Sequence, residues 1–210
     1  MRSPERAREL GEVFTPEHIV SAMLDLLKDI NYASKCLEPG CGSGNFLVEI
    51  ASRKIATISK LPEVLLGLRN GSYDEFDFKC LIAAGSVYGV DIDETNIAEA
   101  RERLLGLFES EMLKFGKRSE LPKEVIRALV SVINHNIILG DLTHDAHNIE
   151  VVEYAELPSF RIKQRVFRFS ELIFPEDEVF EDIDLLFGHV PTQLRDFPPV
   201  YFKDLGSVNA

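Results

Sequence analysis

A chain of 210 residues with 45% hydrophobic content is long enough for one buried core, and its 35 acidic against 23 basic residues, a formal net charge of −12, argue against tight binding to a nucleic-acid backbone by this chain alone. No apolar run reaches the roughly 18 residues of a membrane span, and the charged residues 1–11 lack the apolar stretch of a secretory signal, so a cytoplasmic protein with no membrane contact is expected. Cys36, Cys41 and Cys80 form no Cys-x-x-Cys pair and read as reduced core thiols, with no metal site.

The first element is a helix from residue 16, with Ile19, Val20, Met23, Leu26 and Leu27 on one face, Thr15 as N-cap and Pro16 as first helical residue. A strand at 35–38 ends in Glu38-Pro39, and a turn containing Gly40, Gly42 and Gly44 opens a helix at 45–59. Short helices broken by Pro62 and by Asn70-Gly71-Ser72 make an insertion at about 61–85. A second strand spans 87–93, an amphipathic helix 94–115, another helix 122–133, and a third strand 136–140 ends at Asp141. Alternation at 151–156 and 160–169 predicts a hairpin insertion at about 150–170, and a fourth strand is expected at 183–187. Strands alternating with helices indicate one α/β domain over 1–210, a doubly wound, mostly parallel sheet whose ligand sits beyond the carboxyl ends of the strands. Glu38, Asp91, Asp141 and His189 stand at those ends.

The position of the first acid selects the ligand. In dinucleotide sites an acid for the ribose follows the glycines by about 20 residues, whereas here Glu38 precedes them and the next strand-end acid, Asp91, lies much further on. A carboxylate facing a backbone-lined turn suits a ligand with positive charge and no phosphate. S-adenosylmethionine, with its ammonium and sulfonium groups, fits, and a dehydrogenase does not.

Four segments in order, Val13-Phe14-Thr15-Pro16, residues 37–46 with Glu38-Pro39-Gly40-Cys41-Gly42, Tyr88-Gly89-Val90-Asp91-Ile92-Asp93 and Gly140-Asp141-Leu142, resemble the adenine-N6 DNA methyltransferases of restriction-modification systems, in the order of the gamma class and of type I modification subunits. The resemblance implies a Rossmann-like class I methyltransferase fold and a cofactor site formed by Phe14, Thr15, Glu38, Gly40, Gly42, Asp91, Ile92, Asp141 and Leu142. In it Thr15 bonds the methionine carboxylate, Glu38 faces the ammonium, and Gly40 and Gly42 admit the ligand to the backbone. Asp91 accepts both ribose hydroxyls, and Asp141 accepts the adenine amine between Leu142 and Ile92. Asp93 reads as a helix N-cap.

The acceptor side departs from the family. Its signature is Asn-Pro-Pro-Tyr or Asn-Pro-Pro-Phe, which holds and stacks a flipped adenine, and the aligned residues here are His189-Val190-Pro191-Thr192. A neutral His189 accepts with one ring nitrogen, but Thr192 has no ring to stack. Asp196-Phe197-Pro198-Pro199-Val200-Tyr201 contains similar residue types and reads as a surface turn. The family's sheet continues beyond a fourth strand, so a C-terminally incomplete fold is expected, with DNA reached through a missing half or a partner chain, and a specificity or restriction subunit as a further partner. Two readings follow: a methyltransferase active only when completed, and a catalytically degenerate S-adenosylmethionine-binding scaffold. A third, methylation of RNA, protein or a small molecule with His189 as base, is weaker.

Overall fold

Three short parallel strands in the order β1-β2-β3 form the centre of the computed structural model, which describes residues 15–27, 30–170 and 193–208. Strand β1 is Cys36–Glu38, β2 is Val87–Asp91 and β3 is Ile137–Leu139. Glu38 lies level with Gly89, and Asp91 level with Leu139, so the three strands end within two residues of one another at one edge.

Helix α1, Glu17–Leu24, precedes β1. Between β1 and β2 run α2, Asn45–Ile58, α3, Pro62–Arg69, and α4, Asp74–Gly85. Helices α5, Glu94–Gly116, and α6, Lys123–Asn136, lead from β2 to β3. Helix α2 buries Leu47, Ile50, Ala51, Ile55 and Ile58 at helical spacing. Asp93 caps α5, its Oδ1 accepting the backbone N–H of Asn96 at 3.0 Å, and Ile97, Ala100, Leu104, Phe108 and Met112 form the buried stripe of that helix.

A second sheet is antiparallel: β4, Glu150–Leu157, pairs with β5, Arg161–Arg168, and β5 also pairs with β6, Gln193–Asp196, and with β7, Val200–Tyr201. Tyr88 and Val90 of the parallel sheet pack with Ile149, Val151 and Phe169 around this hairpin. The expectation of a mostly parallel, doubly wound sheet is corrected accordingly: the described residues form a three-stranded parallel sheet and a four-stranded antiparallel one. The buried Asn136 side chain ties the ends of α4 and α6 to β4, its Nδ2 donating to Gly85 O at 3.0 Å and Val152 O at 2.9 Å while its Oδ1 accepts Val152 N–H at 3.0 Å.

The first helix also differs from expectation. Pro16, with ψ 147°, is the N-cap, and its carbonyl accepts the N–H groups of Ile19 and Val20, so the helix starts two residues after Thr15. Only Val20 and Leu24 are buried, whereas Ile19 and Met23 are exposed and Leu26 and Leu27 lie past the last turn. The face toward α2 is fixed by polar contacts as well: Arg53 pairs with Asp25 at 2.8 Å and donates to Ser21 O at 2.9 Å. Phe14, the expected fourth strand and His189-Val190-Pro191-Thr192 lie outside the described residues.

Candidate cofactor site

The turn after β1 folds over the end of β2. Cys41 N–H donates to Val90 O at 2.9 Å, Gly42 N–H to Asp91 Oδ2 at 2.8 Å, and Gly44 N–H to Cys41 O at 2.9 Å. Gly44 serves this closure: it has φ +88°, and a Cβ on it would stand 3.1 Å from that of Ala100 on α5. Gly89 lies beneath, where a Cβ would meet Leu47 at 2.8 Å and the Cys41 sulfur at 3.1 Å. Gly40 is different, since a Cβ there would meet no protein atom within 4 Å and its φ is not positive; at Gly42 the space is equally open. Packing therefore accounts for Gly44 and Gly89 and a left-handed backbone, φ +51°, for Gly42, which like Gly40 borders open space.

Glu38 borders the same turn. It is half-buried, and its carboxylate makes no hydrogen bond or ion pair with any described residue. Burial pushes its carboxyl above the ordinary range. A partly desolvated carboxylate without a protein cation is costly, and next to an open cradle it suits a cationic ligand. Cys41, close by, is pushed up to about 12 by burial and then by the charges of Asp91 and Glu38, so it stays a thiol at neutral pH.

Asp91 is already engaged. Besides Gly42, its carboxylate accepts Asp93 N–H at 2.9 Å and Asn96 Nδ2 at 3.2 Å. A carboxylate offers about four acceptor positions, so a ligand presenting two hydroxyls competes with the bond from Asn96, the longest of the three. Ile92, the next residue, is 58% exposed, an apolar side chain at the mouth of the strand edge. Asp141 is bound up in its own turn: Oδ1 accepts Thr143 N–H at 2.8 Å and the Thr143 hydroxyl at 2.5 Å, and Oδ2 meets His144 Nδ1 at 2.8 Å. The Thr143 hydroxyl and then His144 hold its carboxyl well below the usual range. Leu142 packs against the cluster of Tyr88, Val90 and Ile149. The strand ends of Asp91 and Asp141 are joined directly, Gly140 N–H donating to Asp91 O at 3.0 Å.

Thr15 is brought to the glycine turn by its backbone, its carbonyl accepting Asn45 Nδ2 at 2.8 Å. Glu38, Gly40, Gly42, Asp91 and Thr15 thus gather around one turn, with Ile92 next to Asp91 and Asp141 in the loop joined to the end of β2. Sequence reading missed Asn45 and Asn96. The signal for Asn96 is a buried amide in the first turn of an otherwise apolar helix face, five residues after the acid it orients. Phe197 and Tyr201 are committed to packing. Both lie against the main core, Phe197 N–H donates to Gln164 O at 3.1 Å, and Tyr201 stacks edge-on with Phe202 at 4.9 Å. The expected surface turn is therefore the link between β6 and β7.

The family described as N-6 DNA Methylase matches residues 1–95. A Methanocaldococcus jannaschii protein named as a type II restriction enzyme and methyltransferase is 32% identical over 138 residues, 65% of this chain and 10% of that protein. The type I restriction enzyme MjaVII methylase subunit of the same organism is 45% identical over 47 residues, 22% of this chain and 8% of the subunit. The matched stretches span a tenth or less of these relatives. No solved structure matches the chain.

Proposed function

We propose, from the premise that this chain belongs through residues 1–95 to the N-6 DNA methylase family, that it holds S-adenosylmethionine at the carboxyl ends of β1, β2 and β3 as the donor-binding part of a restriction-modification adenine methyltransferase. The observation that carries this reading is Glu38, a half-buried carboxylate with no described partner, beside the open cradle of Gly40 and Gly42. On this reading the three parallel strands are one half of a Rossmann-like class I sheet.

The cofactor, when bound, supplies the transferable methyl group. Glu38 receives the ammonium, and the turn at Gly40 and Gly42 lets the methionine moiety lie against the backbone. Asp91 holds the ribose, Ile92 and Leu142 flank the adenine, and Asp141 orients its amine by the oxygen capacity that Thr143 and His144 leave. Thr15, with Phe14 before it, closes the carboxylate end.

Transfer to a flipped adenine in DNA is assigned to a larger assembly. Arg118 pairs with Asp77 at 2.6 Å, Arg165 with Glu153 at 3.0 Å, and Lys163 with Asp196, so these cations are engaged within the chain, whose net charge is −12. DNA is then reached through further strands or a partner chain, with a specificity or restriction subunit as companion, in the cytoplasm. No helix among the described residues is long and apolar enough to cross a membrane. A second reading, a degenerate cofactor-binding scaffold, is favoured by His189-Val190-Pro191-Thr192 in place of the family signature.

Equilibrium dialysis with labelled S-adenosylmethionine tests the proposal. Saturable binding is expected, weakened roughly ten- to a hundredfold by Asp91→Ala, the loss of hydrogen bonds to a charged group. A folded native chain that binds none contradicts it. Incubation of the chain alone with DNA is expected to give no methyladenine, and turnover would show His189-Val190-Pro191-Thr192 to be a competent acceptor site.

A further inference from the structure

Asn45 is the first residue of α2, and its side chain serves neither the cap nor the core of that helix. Arg103 of α5 donates from Nη1 to Asn45 Oδ1 at 2.8 Å and to Ser43 O at 2.6 Å, while Asn45 Nδ2 donates to Thr15 O at 2.8 Å. The orientation of the amide is determined by its partners, because a guanidinium only donates and a carbonyl only accepts. Three elements separated in sequence by 30 and 58 residues are joined here: the backbone before α1, the end of the glycine turn and the middle of α5.

We propose that Asn45, held by Arg103, is a positioning residue for the methionine end of the cofactor site, fixing Thr15 against the glycine turn so that the carboxylate of the ligand meets a preformed partner. This rests on the cofactor reading above and extends it to a residue that touches no ligand. At the other end of the site Asn96 orients Asp91 from the same helix, through its 3.2 Å bond to Oδ1. Helix α5 therefore sets both ends of the site by separate contacts. The two ends are separable by mutation.

A purely structural tie and a positioning tie differ in which ligands notice its loss. Asn45→Asp keeps an acceptor for Arg103, and its charge is tolerated at a helix N-terminus, but it cannot donate to Thr15 O. Calorimetric titration compares S-adenosylmethionine, S-adenosylhomocysteine, which keeps the amino-acid end, and 5′-deoxy-5′-methylthioadenosine, which lacks it. Asn45→Asp is expected to weaken the first two by roughly three- to tenfold, the loss of one neutral hydrogen bond, and to leave the third within about twofold of its native affinity. Asp91→Ala is expected to weaken all three.

Equal weakening of the three ligands by Asn45→Asp, or no weakening of any, with an unchanged urea midpoint overturns the positioning role and leaves the cofactor reading standing. Failure of the native chain to bind any of the three overturns the cofactor reading itself. Should Asn45→Asp fail to fold, Arg103→Met, which keeps an unbranched stem but removes the donor to Asn45 Oδ1 and Ser43 O, is read for the same ligand-selective pattern, and its absence counts against the proposal.

Discussion

The two ends of the parallel sheet treat charge in opposite ways. At the amino end Lys54, on the buried face of α2 and fully enclosed, donates to Ser34 O, to Ser86 Oγ at 2.7 Å and to Tyr32 O at 3.3 Å. Close by, Lys79 is held by Glu156 at 2.5 Å and by the Tyr32 hydroxyl at 2.9 Å. At the carboxyl end Glu38 has no described partner, Gly40 and Gly42 face open space, and Ile92 is exposed. Buried polar groups in a fold are normally satisfied, so bonding capacity left over at one end and used up at the other separates a place that receives something from a place that only holds the chain together.

The largest effect is expected at the closed end. Lys54→Ala strips the donor from three oxygens and opens a cavity, and should cost roughly 3 kcal/mol in urea denaturation with no effect specific to ligand. A loss under about 1 kcal/mol would break the contrast, since it would mean that the amino end is loosely held. Next come the two glycines of one turn. Gly44→Ala must adopt φ +88° against Ala100, an expected loss of about 1 to 2 kcal/mol. Gly40→Ala should leave stability within about 0.5 kcal/mol of native yet reduce S-adenosylmethionine binding, because its methyl projects into the cradle.

The two ends also respond to pH in opposite directions. Burial lowers Lys54 from 10.5 to about 8. A base whose folded value lies below its unfolded one costs stability while charged, so that cost is relieved as pH rises from about 8 toward 10.5. Glu38 is raised above 4.5 by burial. Its cost is present at neutral pH and is relieved as pH falls through the raised folded value toward 4.5. The native protein compared with Lys54→Met and with Glu38→Gln across these windows isolates each contribution. Saturating S-adenosylmethionine should abolish the Glu38 dependence alone.

Strands β2 and β3 were readable because apolar, β-branched runs followed by acids mark the carboxyl edge of a buried sheet, and β1 because a glycine turn follows it. Strand β6, Gln193-Leu194-Arg195-Asp196, and the two residues of β7 carry no such pattern, and tertiary pairing with β5 makes them strands. Asn136 reads as the start of a strand, yet it ends α6 and its amide ties two helix ends to β4, which no local pattern encodes. Around the site the acids themselves stand out in the sequence, but not how much of each is already used. Asp141 followed by Thr143 is a turn that binds its own carboxylate, and the three partners of Asp91 come from 49, 2 and 5 residues away. The orientation of α1 was hidden because its apolar stripe is wider than the Val20 and Leu24 edge that meets the core.

Glu38→Gln is the decisive variant for the cofactor site, because it keeps the side-chain shape while removing the charge and one acceptor oxygen. With S-adenosylmethionine titrated calorimetrically and stability followed in urea, the account predicts an affinity loss of roughly ten- to a hundredfold together with a urea midpoint equal to or above native. Unchanged affinity, or a midpoint that falls as far as that of Lys54→Ala, would contradict it.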